Sequence, residues 1–98
     1  MSALRDLAKD QHCVRCGRKD PSVVLAHYTG ARRLAYHGGY GIKVNDICGA
    51  HLCQGCHAAM DTLTRDKAMK WEHSEEFQNL ILLTIIRLVD QGHLVVKR

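Results

Sequence analysis

A chain of 98 residues with a formal charge of +4 has room for one compact domain and not for two, and its positive balance favours a polyanionic partner only weakly. The longest apolar run, Leu80 to Val89, is broken by Thr84 and Arg87; it is about half of the ~20 residues that cross a bilayer, which argues against a membrane span. Met1-Ser2-Ala3-Leu4-Arg5-Asp6 lacks the apolar core of a signal peptide, so a reducing cytoplasm is the expected compartment.

Residues 3 to 10 read as a short helix with Leu4, Leu7 and Ala8 on one face. A tight knuckle follows, His12-Cys13-Val14-Arg15-Cys16-Gly17, in which Gly17 supplies the positive φ such turns need. Asp20-Pro21-Ser22 signals a turn, and Val23-Val24-Leu25-Ala26-His27 a short strand. From Tyr28 to Asp46 the chain reads as a loop, with Gly30, Gly38, Gly39 and Gly41 and the basic side chains Arg32, Arg33 and Lys43. A second strand is expected within Asn45 to Leu52, then a helix from Cys53 to about Asp61 and another helical piece over 65 to 72. Ser74 reads as the N-cap of a helix over 75 to 90, with Glu75 and Glu76 in its first turn and Gly92 at its end. Phe77, Leu80, Ile81, Leu82, Leu83, Ile85, Ile86, Leu88 and Val89 nearly encircle this helix. It is therefore either central to the core or half of a homodimer contact. The tail segment His93-Leu94-Val95-Val96 reads as one short edge strand. The whole is one α+β domain, residues 1 to 98.

The cysteines carry the strongest chemical signal. Four of the five form two Cys-x-x-Cys pairs, Cys13/Cys16 and Cys53/Cys56. In a reducing compartment such pairs read as thiolate ligands of one tetrahedral zinc; the alternatives are two disulfides or a redox pair. Cys48 reads as a small buried apolar residue. A variant in which His57, His51 or His12 replaces one cysteine ligand has the same spacing logic. Within Cys53-Gln54-Gly55-Cys56-His57-Ala58-Ala59-Met60-Asp61, a helix puts His57 and Asp61 on one face, where they can grip one ion. Successive helical residues diverge by about 100°, so that ion is distinct from the one held by the cysteines. The bland alternative for Asp61 is a solvated carboxylate near a helix end. His27 interrupts a buried strand pattern and needs a partner. It is either a packed histidine bonded to a carbonyl or the group that takes a proton from water.

The order of these motifs resembles a zinc-ribbon HNH nuclease: Cys-x-x-Cys, a strand ending in His27, a glycine-containing loop, an Asn-Asp segment, then Cys-x-x-Cys-His. More narrowly, Val24-Leu25-Ala26-His27, Gly41-Ile42-Lys43-Val44-Asn45-Asp46-Ile47 and Cys53-x-x-Cys56-His57-x-x-x-Asp61 are similar to the short phage and prophage nucleases of the YbcO type. The resemblance covers about residues 4 to 97. It implies a zinc-stapled ββα-metal domain, extended by the terminal helix and strand, clasping one catalytic divalent ion (Mg2+, Mn2+, Ni2+ or Zn2+). His27 takes the first-histidine position, His57 the last, Asp61 a metal-ligating position one turn later. Asn45 or Asp46 falls where the central asparagine steadies loop and histidine. Many HNH enzymes carry two adjacent polar residues at the strand end, whereas this chain has Ala26-His27-Tyr28. Either His27 is the base, or it binds metal and another group, with His37 a candidate, deprotonates water.

The resulting expectation is a metal-dependent endonuclease acting on DNA in a bacterial cytoplasm, phage- or prophage-encoded. In it Arg32, Arg33 and Lys43 anchor flanking phosphates. The rival from a different class is a non-catalytic zinc-ribbon module that binds nucleic acid or protein. It explains the cysteines and the charge equally well, but not the shared face of His57 and Asp61. A thiol redox protein would need a thioredoxin-like βαβ unit, which the pattern lacks.

Overall fold

The computed structural model describes residues 3–38, 43–65 and 70–95. Gly39, Gly41 and Ile42 of the glycine-containing loop, residues 66 to 69 of the helical piece expected over 65 to 72, and Val96 of the expected tail strand lie outside them. Five regular elements follow in order: α1 (Ala3–Leu7), β1 (Val24–His27), β2 (Gly49–Leu52), α2 (Gln54–Arg65) and α3 (Lys70–Asp90). Short 3-10 turns cover Ala8–Asp10, Arg33–Tyr36 and Asp46–Cys48. The architecture is a small α+β fold, and among the described residues no helix is long and apolar enough to cross a membrane.

β1 and β2 pair antiparallel, with Val24 opposite Leu52, Leu25 opposite His51, Ala26 opposite Ala50 and His27 opposite Gly49. A Cβ on Gly49 would stand 2.7 Å from the Leu25 side chain, so the missing side chain is what lets Leu25 pack there. α3 covers the free edge of β2. The Thr84 hydroxyl accepts from His51 N at 3.2 Å and donates to Leu80 O at 2.9 Å, while Val14 N donates to His51 O at 2.8 Å. The edge that would otherwise recruit another strand is therefore satisfied internally at its centre. At the far end of α3, Gln11 and Gln91 exchange amide hydrogen bonds at 2.8 and 3.2 Å. Arg87 donates to His12 O at 2.6 Å.

The expected N-cap at Ser74 is corrected. The helix runs through it from Lys70, and Ser74 is buried in mid-helix. Its hydroxyl accepts from Ala31 N at 2.9 Å, so it ties a loop to the helix instead of starting one. Local capping preference yields here to a tertiary need, because an unpaired amide in that contact would be costly. The buried stripe of α3 is Ser74, Phe77, Leu80, Ile81, Thr84 and Leu88. Leu82, Leu83 and Ile86 are 59%, 43% and 56% exposed, so the helix lies against the core on one side and is not encircled by it. Gly92 ends the helix with φ +80°, as expected. His93, Leu94 and Val95 are not in a strand; instead the amides of His93 and Leu94 return to Leu88 O.

The core joins both layers. Tyr28 meets Tyr36 edge-on at 5.4 Å and Phe77 at 5.5 Å between ring centroids, a favoured aromatic geometry. Val23, Ala26, Ala50, Leu52, Met60 and Leu80 fill the space around them.

Candidate metal centre and imidazole–carboxylate site

The first knuckle forms as its residues require. Gly17 N donates to Cys13 O and Cys13 N to Arg18 O, both at 2.9 Å, and Gly17 has φ +79°. This turn aims Cys13 and Cys16 the same way. Cys53 follows β2 directly and Cys56 lies in the first turn of α2, so the hairpin carries the second pair to the first. The four Sγ atoms lie within 4.8 Å of one another. All are free thiols, and Cys16 and Cys53 are 3.8 Å apart. A disulfide needs about 2.05 Å. Four thiolates around zinc at about 2.3 Å stand about 3.8 Å apart at tetrahedral angles. The donor set and its spacing thus suit a closed structural zinc site, and neither His12, His51 nor His57 belongs to it. Cys48 is half-buried against the core and outside the cluster; burial raises its thiol pKa.

The thiols do not titrate alike. Burial pushes Cys13 up, but hydrogen bonds from the Cys16, Cys53 and Arg15 backbone outweigh it and bring the group down to about 6. Burial, reinforced by the neighbouring cysteines, pushes Cys56 up to about 12, although Arg15 Nη1 approaches its sulfur at 3.6 Å. Behind the cluster, Arg87 approaches Nδ1 of the buried His51 ring at 3.4 Å. Burial and then the Arg87 charge hold His51 down to about 4, so it is a neutral core histidine at neutral pH. Its Nε2 has no hydrogen-bond partner.

The second constellation lies where β1 ends. His27 Nε2 is 2.7 Å from Asp46 Oδ1. Since a carboxylate only accepts, Nε2 carries a hydrogen, which in the neutral ring makes Nδ1 the lone-pair nitrogen. Arg5 reaches the same oxygen with Nη2 at 3.1 Å and Nε at 3.2 Å. Asn45 points elsewhere: its Oδ1 accepts from Ile47 N at 3.1 Å and starts the turn that presents Asp46. The two tasks of steadying loop and histidine are divided between neighbours. On α2, His57 Nε2 is 3.3 Å from Asp61 Oδ2, the shared face that the i, i+4 spacing anticipates. Thr29, two residues beyond His27, donates to Asp61 Oδ1 at 3.0 Å. That bond ties the end of β1 to the α2 pair. The side chains of His57 and Asp61 are 37% and 27% exposed, against 10% for His27, so the α2 pair is the wetter one.

Among the described residues, the four cysteines form the one group of three or more His, Cys, Asp or Glu side chains gathered closely enough for a single ion. His27 is thus not a third close ligand beside His57 and Asp61. His37 is exposed, with φ +67° at the end of the Arg33–Tyr36 turn. Arg32 and Lys43 are exposed and Arg33 half-buried. Arg5 and Thr29 were not singled out by sequence reasoning. Arg5 lies 41 residues from the carboxylate it contacts, and no local pattern marks it.

No family model, curated protein or solved structure matches the chain.

Proposed function

We propose that this protein is a metal-dependent endonuclease of the HNH, ββα-metal kind, hydrolysing phosphodiester bonds in DNA on a zinc-stapled scaffold. The observation that carries the reading is the Thr29–Asp61 hydrogen bond of 3.0 Å. It ties the strand end that carries the sheltered His27–Asp46 pair to α2, which carries the more open His57–Asp61 pair. In this reading His57 and Asp61 would hold the catalytic divalent ion. An ion bound there would supply Lewis-acid neutralisation of charge on the leaving oxygen.

His27 is the general base. Its Nδ1 lone pair takes a proton from water as the water oxygen bonds to phosphorus and the opposite P–O bond breaks. Asp46 holds the ring in the tautomer that leaves Nδ1 basic, and Arg5 balances the Asp46 charge. Arg32, Arg33 and Lys43 contact flanking phosphates, which gives affinity without base reading. The rival, a non-catalytic zinc-ribbon module, is favoured by one observation: every carboxylate of the site already has a protein partner.

The test is nicking of supercoiled plasmid with magnesium, manganese or nickel. The expected result is cleavage by the wild type and a loss of about a hundredfold or more in His27→Ala and His57→Ala, each still folded. Unchanged cleavage in both variants would remove these assignments. A folded, zinc-loaded wild type inert with every metal would favour the binding module.

A further inference from the structure

The chain contains one tryptophan, and the fold does not use it to fill the core. Tyr28, Tyr36 and Phe77 make the buried aromatic cluster, whereas Trp71, in the first turn of α3, is 65% exposed. Leaving the largest apolar ring in water is unfavourable unless something covers it. The Arg32 guanidinium stands 5.6 Å from the ring centroid, within cation–π range. Arg32 is also held in place. Its amide donates to Tyr28 Oη at 3.3 Å, and the preceding amide of Ala31 donates to Ser74 Oγ at 2.9 Å. A Cβ on Gly30 would stand 2.6 Å from Ser74 Oγ and overlap the Tyr28 hydroxyl, so only glycine lets the loop lie this close to α3. A flat ring and a guanidinium carried on an anchored backbone are thus presented together.

Their place in the chain matters as much. Arg32 is three residues beyond Thr29, which binds Asp61. Three residues span at most about 10–11 Å, on the order of three stacked nucleotides at about 3.4 Å each. We infer that Trp71 and Arg32 form a platform on which an unpaired nucleobase stacks, so that single-stranded nucleic acid, or an unpaired stretch of a branched one, is the substrate class of the adjoining site. The assignment of a substrate rests on the nuclease reading; the binding surface does not. The indole face turned away from Arg32 accepts any base face, and the guanidinium over the other face adds positive charge for the neighbouring phosphate. A continuous duplex hides its base faces and offers the platform nothing but phosphate.

The single tryptophan makes its own fluorescence the probe. The zinc-loaded full chain is titrated with (dT)12, with (rU)12 and with a 12-base-pair duplex, in buffer without added magnesium or manganese. The expected result is quenching of the wild type by the single strands and, read for every variant by the anisotropy of end-labelled oligonucleotides, weaker (dT)12 binding in Trp71→Ala by about five- to 150-fold. Trp71→Phe should restore part of the loss, and duplex affinity should change less than about threefold in either variant. Arg32→Ala should weaken (dT)12 binding while keeping the quench. The (rU)12 arm shows whether the sugar matters to a surface that reads only the base face. No quenching, no binding of (dT)12, or an equal loss on duplex and single strand would overturn the platform. Far-UV circular dichroism of each variant guards against unfolding. A wild type that quenches but cleaves neither plasmid nor (dT)12 with magnesium, manganese or nickel would sink the nuclease and leave the platform; one that cleaves without quenching would do the reverse.

Discussion

The cysteine cluster and the imidazole–carboxylate site are built from opposite kinds of information. Each half of the cluster is a local device: a Cys-x-x-Cys turn fixes its own two sulfurs, and one antiparallel hairpin brings the halves together. The second site is assembled from α1, the end of β1, the turn over Asp46–Cys48 and α2. None of its cross-element contacts is fixed by spacing. A region that rests on two local turns and one ion should fail all at once when the ion goes. A region held by individual hydrogen bonds should degrade in steps, with the fold intact.

The largest expected effect breaks the first region. Chelation of the metal, or Cys56→Ser, should unfold most of the chain, because structural zinc contributes about 10 kcal/mol or more of apparent folding free energy in small domains. Elemental analysis should give one zinc per chain, lost on unfolding. A metal-free chain with native circular dichroism would show that the hairpin and α3 hold the fold alone, and the contrast between the regions would disappear. Next comes Asp46→Asn. If His27 is the base proposed above, loss of the enforced tautomer should cut kcat for plasmid nicking about a hundredfold. KM and melting temperature should stay near wild type, since the change keeps shape and touches no core contact. A matching rise in KM would mean that Asp46 serves substrate binding instead.

What could be read from the sequence follows the same division. The knuckles, the Gly17 turn, the His57–Asp61 face and the Gly92 helix end are local, and spacing alone anticipated them. Ser74 misled because a good capping residue was needed more by Ala31 N than by a helix start. The apolar positions of α3 misled because periodicity cannot tell a face against β2 from one in water: Ile81 is buried while Leu82 next to it is 59% exposed. Arg5 and Thr29 were illegible for another reason. An arginine near a chain start and a threonine in a loop are ordinary until the fold sets a carboxylate opposite each. Trp71 was visible as the one tryptophan, but composition does not say that a ring lies on the surface.

A smaller effect sharpens the link between the strand end and α2. Thr29→Val keeps the volume and removes the hydroxyl that Asp61 accepts, at a cost of about 1 kcal/mol in stability measured by urea unfolding. If that bond aims the carboxylate at an ion, half-saturation for manganese in the nicking assay should rise by about tenfold or more, as for other residues that orient metal ligands. An unchanged manganese dependence would reduce Thr29 to a loop tether.

The smallest expected effect separates two neighbours. Asn45 and Asp46 are adjacent and polar, and the resemblance to HNH enzymes points to either as the central residue. Their contacts differ in kind. Asn45 caps the turn through its own backbone neighbour, Ile47, and is solvent-exposed. Asp46 meets His27 and Arg5 from other elements. Asn45→Ala should therefore cost about 1 kcal/mol, the usual worth of a cap, and leave kcat within a few-fold, because the Asp46 side chain keeps its contacts with His27 and Arg5. Asn45→Asp should recover the stability, since Asp caps as well as Asn. If Asn45→Ala instead cuts kcat as deeply as Asp46→Asn, the turn and the histidine act as one unit. The carboxylate contact at 2.7 Å would then be a consequence of the cap and not an independent hold on the base.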